Sequence, residues 1–202
     1  VLGIRWFDCT VTGMEAHAGP TPMALRKDSL LAATRIMQDV VAAAHRHPPH
    51  GRGTVGMVQV FPNSRNVIPG RVKFSIDLRN STDALVDQMA DEVKAFAAKV
   101  GQEHGVDVKI EMVSSYNAIA FHENCVDAVG RAARKLGYSN MPAVSGAGHD
   151  AVYMAKLAPS GMIFIPCKDG ISHNEIEDAK PEHITAGCNV LLHAMLERAG
   201  VV

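Results

Sequence analysis

Polar side chains able to bind, donate a proton or hold a metal recur in this sequence where the chain turns between apolar runs. Three segments stand out: Glu15-Ala-His17-Ala-Gly-Pro-Thr-Pro22, Asn63-Ser-Arg-Asn66-Val-Ile-Pro69 and Ser172-His173-Asn-Glu-Ile-Glu177. Binding and catalytic groups concentrate on such loops when a rigid scaffold holds them. The imidazoles of His17 and His173 can donate, accept or ligate a metal. Arg79 ends the run Lys73-Phe-Ser-Ile-Asp-Leu-Arg79, where a guanidinium presents a bidentate fork to a carboxylate better than a lysine would. In the loop Ser145-Gly-Ala-Gly-His-Asp150, Gly146 and Gly148 lack the Cβ that would keep a ligand away from the backbone. That loop is not a GxGxxG fingerprint, and it lacks the lysine of a phosphate loop. Each of these residues also has an ordinary structural use. A loop histidine is commonly a surface or locally bonded residue, Asn66 before Val-Ile-Pro forms turns, and an arginine at a strand end commonly faces solvent.

Composition limits the partners. The chain has 202 residues, 47% of them hydrophobic and 20% charged, so it can bury a core and fits one large domain or two small ones. A net charge of -1, without long Lys/Arg runs, argues against a nucleic-acid backbone or an anionic membrane surface as the partner. No stretch reaches the roughly 18 apolar residues of a membrane span. Cys9, Cys125, Cys167 and Cys188 are scattered, which reads as reduced thiols of a cytoplasmic protein, most of them small core residues. The chain opens directly into strand-like sequence at Val1 without an initiator Met, as a piece of a longer protein would.

Residue periodicity then places the elements that must hold the candidate groups. A strand is expected over Ile4–Thr12, followed by the loop Gly13–Pro22 and a helix carrying Leu25, Leu30, Leu31, Ile36, Met37, Val40 and Val41, with Pro22 near its start. His45, His47 and His50 belong to a solvent-exposed polar loop. Thr54–Phe61 and Arg71–Leu78 read as a hairpin with a long tip. A helix over Asp83–His104 has Asp83 as its cap and Gly105 as its stop, and Val106–Val113 is the last strand. The order β-α-β-β-α-β is the ferredoxin-like split βαβ arrangement, a sheet covered by two helices, giving an α+β domain over residues 1–115. Residues 116–202 change to helix (Glu123–Leu136), glycine loop, short helix, a buried strand (Gly161–Pro166) and helix (Pro181–Arg198), part of an α/β layer whose other strands lie elsewhere.

The stretch from Arg5 to Asp28, centred on His17-Ala-Gly-Pro-Thr-Pro-Met23, resembles the opening of the lid domain in the hydantoinase/carbamoylase family, which includes N-carbamoyl-L-amino acid hydrolases and allantoate amidohydrolases. Asn66-Val-Ile-Pro-Gly70, Ile76-Asp-Leu-Arg79, Ser145-Gly-Ala-Gly-His-Asp-Ala151 and Ser172-His-Asn-Glu175 follow in the family's order and span nearly the whole chain. The resemblance implies a lid, or dimerisation, domain followed by the C-terminal portion of an α/β metallohydrolase catalytic domain. It implies that His17 and Asn66 hold the substrate and stabilise an oxyanion, in some members across a dimer, and that Arg79 binds the substrate carboxylate. Gly146 and Gly148 line the cleft, and His173 is the last metal-binding histidine of a dinuclear zinc or manganese centre. His149 and Asp150 are read as structural, supplying an orienting hydrogen bond. Hydrolysis of a ureido carbon needs a metal-activated water, a carboxylate base and donors where the oxyanion forms. A distant carboxylate gripped by Arg79 supplies orientation.

This sequence departs from the family in extent. In the family the other metal ligands and the general-base glutamate lie upstream of the lid, and His173 by itself cannot build a dinuclear centre. The parent is therefore expected to hydrolyse N-carbamoyl-L-amino acids or related ureido acids as a cytoplasmic homodimer. The alternatives are a non-catalytic dimerisation and substrate-binding fragment, and an allantoate amidohydrolase, N-acyl amino acid deacylase or peptidase of the same superfamily.

Overall fold

Side chains of the first strand alternate between a buried and an open face, and that alternation organises the first half of the chain. In the computed structural model, which describes residues 1–201, β1 (Gly3–Thr12) buries Phe7, Cys9 and Val11 and exposes Trp6, Asp8 and Thr12. Its neighbour β6 (Arg71–Asn80) does the same, burying Val72, Phe74, Ile76 and Leu78 on the matching face. The other strands are β2 (Ala16–His17), β3 (Arg52–Thr54), β4 (Val58–Phe61), β5 (Val67–Ile68) and β7 (Asp107–Tyr116). All pairings are antiparallel. β1 lies between β6 and β7, β3 and β4 share the far side of β6, and β2 with β5 forms a separate small ladder.

Two helices, α1 (Ser29–Arg46) and α2 (Asp83–His104), cover the buried face. The α1 stripe is Ala32, Ala33, Ile36, Val40 and Ala43, and the α2 stripe is Val86, Met89, Val93, Ala97 and Val100, both at three- and four-residue spacing. Gly105 ends α2 with φ of 61°, in the left-handed region where a side chain would be strained. The expected hairpin forms, but its first arm is split into β3 and β4. At the break, the Ser75 hydroxyl accepts from the backbone N–H groups of Gly56 and Met57 at 3.3 and 3.1 Å, so the interrupted ladder keeps its donors paired.

The chain divides into two compact units, Leu2–Ala118 and a second that comprises Val1 with residues from Ile119 onward. In the second, α3 (Glu123–Lys135) packs on α5 (Pro181–Arg198) through Ala128, Ala132, Ala133, Val190 and Ala194, and a short α4 spans Ala151–Met154. Small residues at these positions let the two helix backbones approach closely.

Several sequence expectations need correction. The first helix starts at Ser29, because Asp28 caps it by accepting from the N–H groups of Leu30 and Leu31; Met23–Leu25 is only a 3₁₀ turn. Thr82, not Asp83, caps α2, and Asp83 instead accepts from the Ala118 N–H at 2.9 Å and faces Arg5. Gly161–Pro166 forms no strand and is half-buried at most; it runs beside α3 and α5, at Cys125 and Gly187, and no described strand pairs with it. His45 belongs to α1, and the His47 ring is nearly buried and bonded to Glu92 at 2.8 Å. Of the four thiols only Cys9 is a core residue; Cys167 and Cys188 are exposed.

Burial raises the Cys9 thiol to about 12 by desolvation. Cys9 is therefore expected to resist a thiol-specific reagent at pH 8 in the folded chain while Cys167 and Cys188 label, and to react once denaturant is added. Because the folded thiol holds its proton where the unfolded one would release it above 9.0, stability should fall as pH rises from about 9 towards 12, as urea titrations at several pH values would show.

Candidate functional site

A compact node of backbone contacts holds the His17 segment. β1 ends at Thr12, and Gly13 immediately donates to the Gly70 carbonyl at 2.8 Å while Met14 donates to Lys27 at 2.9 Å. Ser29, fully buried, donates its hydroxyl and its N–H to the Pro69 carbonyl at 2.8 and 3.2 Å. A Cβ on Gly13 would lie 2.0 Å from the Lys27 carbonyl oxygen, so only glycine lets the three segments meet there. Above this node β2 and β5 pair, with Ala16 opposite Ile68 and His17 opposite Val67.

That register brings His17 and Asn66 together: the Ala18 N–H donates to the Asn66 carbonyl at 2.8 Å. The exposed His17 ring is oriented by its own turn, since Nδ1 accepts from the Gly19 N–H at 3.0 Å. A ring nitrogen that accepts carries no proton in the neutral imidazole, so Nε2 is the protonated, donating atom. The Ser64 hydroxyl donates to Asn66 Oδ1 at 3.1 Å, which leaves the amide nitrogen as the donor Asn66 would offer a ligand.

Arg79 lies elsewhere. It sits eight residues beyond Arg71 along β6, roughly 26 Å at about 3.3 Å per residue, while the His17 ladder adjoins the Arg71 end. Its guanidinium holds Asp77, two residues away on the same face, with Nε to Oδ1 at 2.9 Å and Nη2 to Oδ2 at 2.7 Å. The hydrogen bond to Asp77 raises the Arg79 pKa and keeps the fork charged. This is the helix-free face of the sheet. Trp6 lies directly across from Asp77, and its ring meets that of Tyr116 edge-on at 6.0 Å. Both aromatics are exposed, at the end of the sheet where the half-buried Arg79 pairs with Asp77.

Gly146, Gly148 and His173 belong to two loops of the second unit. A Cβ built on Gly146 or Gly148 meets no atom within 4 Å, so protein packing does not account for either glycine. His149 Nδ1 accepts from the Ala151 N–H at 3.0 Å and so shapes the entry to α4; Asp150 makes no side-chain cap there. His173 is exposed with φ of 59°, and its N–H donates to Glu177 Oε2 at 2.9 Å. Among the described residues no three His, Cys, Asp or Glu side chains converge on a point that could hold a metal, so this chain's residues do not by themselves fit a metal centre. An apolar groove of roughly 730 Å³ runs along Ala128, Ile163, Leu191 and Met195 of the second unit, and none of the candidate residues lines it. Among the described residues no helix is long and apolar enough to cross a membrane.

Sequence reasoning missed four residues that shape these surfaces: Arg26 and Ser29 beside the His17 ladder, and Trp6 and Tyr116 beside Arg79. Only alternation could have pointed to Trp6, which falls on the same face as Asp8; the roles of the other three depend on contacts far along the chain.

Comparison with known proteins identifies the family. Residues 11–197 match the peptidase family M20/M25/M40. An N-carbamoyl-L-amino-acid amidohydrolase of Rhizobium meliloti is 46% identical over 200 residues, covering 99% of this chain and 48% of the relative. An allantoate amidohydrolase of Bacillus subtilis (strain 168) is 31% identical over 199 residues, covering 98% and 48%. The crystal structure of a hydantoinase/carbamoylase family amidase from Burkholderia multivorans superposes with a TM-score of 0.94 at 52% identity, covering 98% of this chain and 48% of that one. The chain belongs to the M20/M25/M40 family, within which its structural neighbours are hydantoinase/carbamoylase amidases. It spans about half the length of the curated relatives it matches.

Gly13→Ala should destabilise the chain by about 1–3 kcal/mol, because its methyl would overlap the Lys27 carbonyl and force the node apart. Urea denaturation of the variant against the parent sequence measures this; an unchanged midpoint would show that the node yields without cost.

Proposed function

We propose that the protein to which this chain belongs hydrolyses the linear ureido C–N bond of N-carbamoyl-L-amino acids or closely related ureido acids. The observation that carries the reading is the β2·β5 ladder, which ties the His17 and Asn66 segments together through the Ala18 N–H and the Asn66 carbonyl, while the Gly19 N–H on Nδ1 leaves Nε2 as the ring atom of His17 free to donate. In this reading the two residues receive the negative charge that develops on the carbonyl oxygen, and Arg79 takes the substrate carboxylate. Trp6 and Tyr116 then offer an apolar wall for the substrate side chain. Gly146 and Gly148 border the cleft, with open space where side chains would stand. His173 is the one metal ligand this chain contributes, and two divalent ions, zinc or manganese, would take their remaining ligands from outside it.

The first unit is proposed to be a lid of ferredoxin-like type, supported by its β-α-β-β-α-β order and the β7-β1-β6-β3/β4 strand order with both helices on one face. The second unit is the C-terminal portion of the catalytic domain. The roughly 26 Å between the two ends of β6 favours a homodimer in which His17 and Asn66 of one protomer complete the site that holds Arg79 of the partner subunit. The cytoplasm fits the four unpaired thiols. The lack of a metal cage among the described residues favours a second reading for the isolated 202-residue chain: a substrate-binding and dimerisation module without activity of its own.

Full-length protein loaded with zinc or manganese is expected to release ammonia from N-carbamoyl-L-amino acids, and the 202-residue chain under the same conditions is expected to release none. Turnover of allantoate or N-acyl amino acids, with ureido acids untouched, would replace this substrate assignment by one of its relatives'. A mixing experiment tests the shared site. Full-length His17→Ala and Arg79→Ala should each keep only a small residual activity, and unfolding and reassembling them together should raise activity well above it, because one site of each mixed dimer keeps both residues. No rise above the residual level in mixed dimers would place both residues in one protomer's site.

A further inference from the structure

Arg26 belongs to none of the ion pairs among the described residues, yet it is half-buried and its Nε and Nη2 bond to backbone carbonyls. Nη2 donates to the Ala18 carbonyl at 2.6 Å and to the Thr21 carbonyl at 3.1 Å, and Nε donates to the same Thr21 carbonyl at 3.1 Å. Both carbonyls belong to the turn that carries His17. Within that turn the Thr21 hydroxyl donates to the His17 carbonyl at 2.6 Å, and the Gly19 N–H donates to His17 Nδ1 at 3.0 Å. Within the turn Ala18 and Thr21 are half-buried and His17, Gly19 and Pro20 exposed, and none of its apolar side chains is a buried core residue that could hold its shape.

We propose that Arg26 is a positioning residue for His17. By clamping the carbonyls on either side of Gly19, its planar fork holds the turn in the shape that delivers the Gly19 N–H to Nδ1. That hydrogen bond selects the tautomer with the proton on Nε2, the only one in which the outward ring nitrogen donates. A lysine ammonium is a compact point charge on a flexible stem and cannot hold two carbonyls in a fixed plane. Arg26 acts through His17 and touches no substrate. The consequence for turnover rests on the reading of His17 as the oxyanion donor, whereas the consequence for the tautomer rests on geometry alone.

Two measurements test it. In the 202-residue chain, long-range ¹H–¹⁵N correlation of the imidazoles at pH 8.5 should show His17 as the Nε2–H tautomer in the parent sequence and as a mixture in Arg26→Ala, with Arg26→Lys between them. An unchanged His17 tautomer in a folded Arg26→Ala chain overturns the proposal. In the full-length protein, Arg26→Ala should lower kcat about tenfold or more and change KM less than about threefold, since a misplaced donor is lost chiefly from the transition state. Placed on a His17→Ala background, the same substitution should cost less than about twofold, because the group it positions is gone. Equal losses in both backgrounds overturn the proposal. Should the full-length protein hydrolyse no ureido or amide substrate, the proposed function falls, and the imidazole spectra still decide the role of Arg26.

Discussion

Ten consecutive antiparallel pairs, from Gly3 opposite Asn80 to Thr12 opposite Arg71, join β1 to β6, and every other feature of the first unit is laid out from that ladder. Because side chains alternate along both strands, the ladder presents one apolar face to α1 and α2 and one polar face to the open side. A slip of one residue would turn either Phe7 and Cys9 of β1 or Ile76 and Leu78 of β6 outward. The core therefore locks the register, and the register decides which functional groups can meet. It places Arg79 near Trp6 and Tyr116 at one end and opens into the His17 node at the other.

The two ends are built by different physics. At the Arg79 end, the charged fork is positioned by a strand and by Asp77 two residues away, so its geometry is as rigid as the sheet. The His17 end is a loop assembled from backbone hydrogen bonds among residues 13, 14, 27, 29, 69 and 70, with a two-residue ladder above it. Such a loop has little apolar surface to bury, and its order depends on satisfied donors and acceptors and on glycine at the point of closest approach. On the proposed reading, separating His17 and Arg79 by the length of the sheet means that neither end alone is a complete site.

Much of the fold was legible in the sequence because its elements are long and periodic. The stripes of α1 and α2, the alternation in β1 and β6, the Gly105 stop and the hairpin of β4 with β6 follow from local patterns that tertiary contacts reinforce. Errors arose where a local signal competed with a distant partner. Asp83 has the chemistry of a helix cap, but Thr82 takes that role and leaves its carboxylate to the Ala118 N–H, thirty-five residues away. Gly161–Pro166 has the composition of a buried strand, but a strand exists only when another lies beside it. His47, in a stretch rich in Pro and His, is drawn in by Glu92 on a neighbouring helix.

By itself, then, the sequence determined the order and kind of the main elements, the segments that carry polar chemistry, and, through the run of motifs from His17 to His173, the family. Those properties depend on short-range pattern and on residue identity, which are written along the chain. The tertiary structure decided which candidates are neighbours: that the His17 and Asn66 segments pair through their backbones, that Arg79 stands a sheet's length away with Trp6 and Tyr116, and that Arg26 bonds the carbonyls of the His17 turn while Ser29 bonds that of Pro69. Spatial adjacency of this kind is set by strand register and by hydrogen bonds between residues tens of positions apart, and no local pattern encodes it.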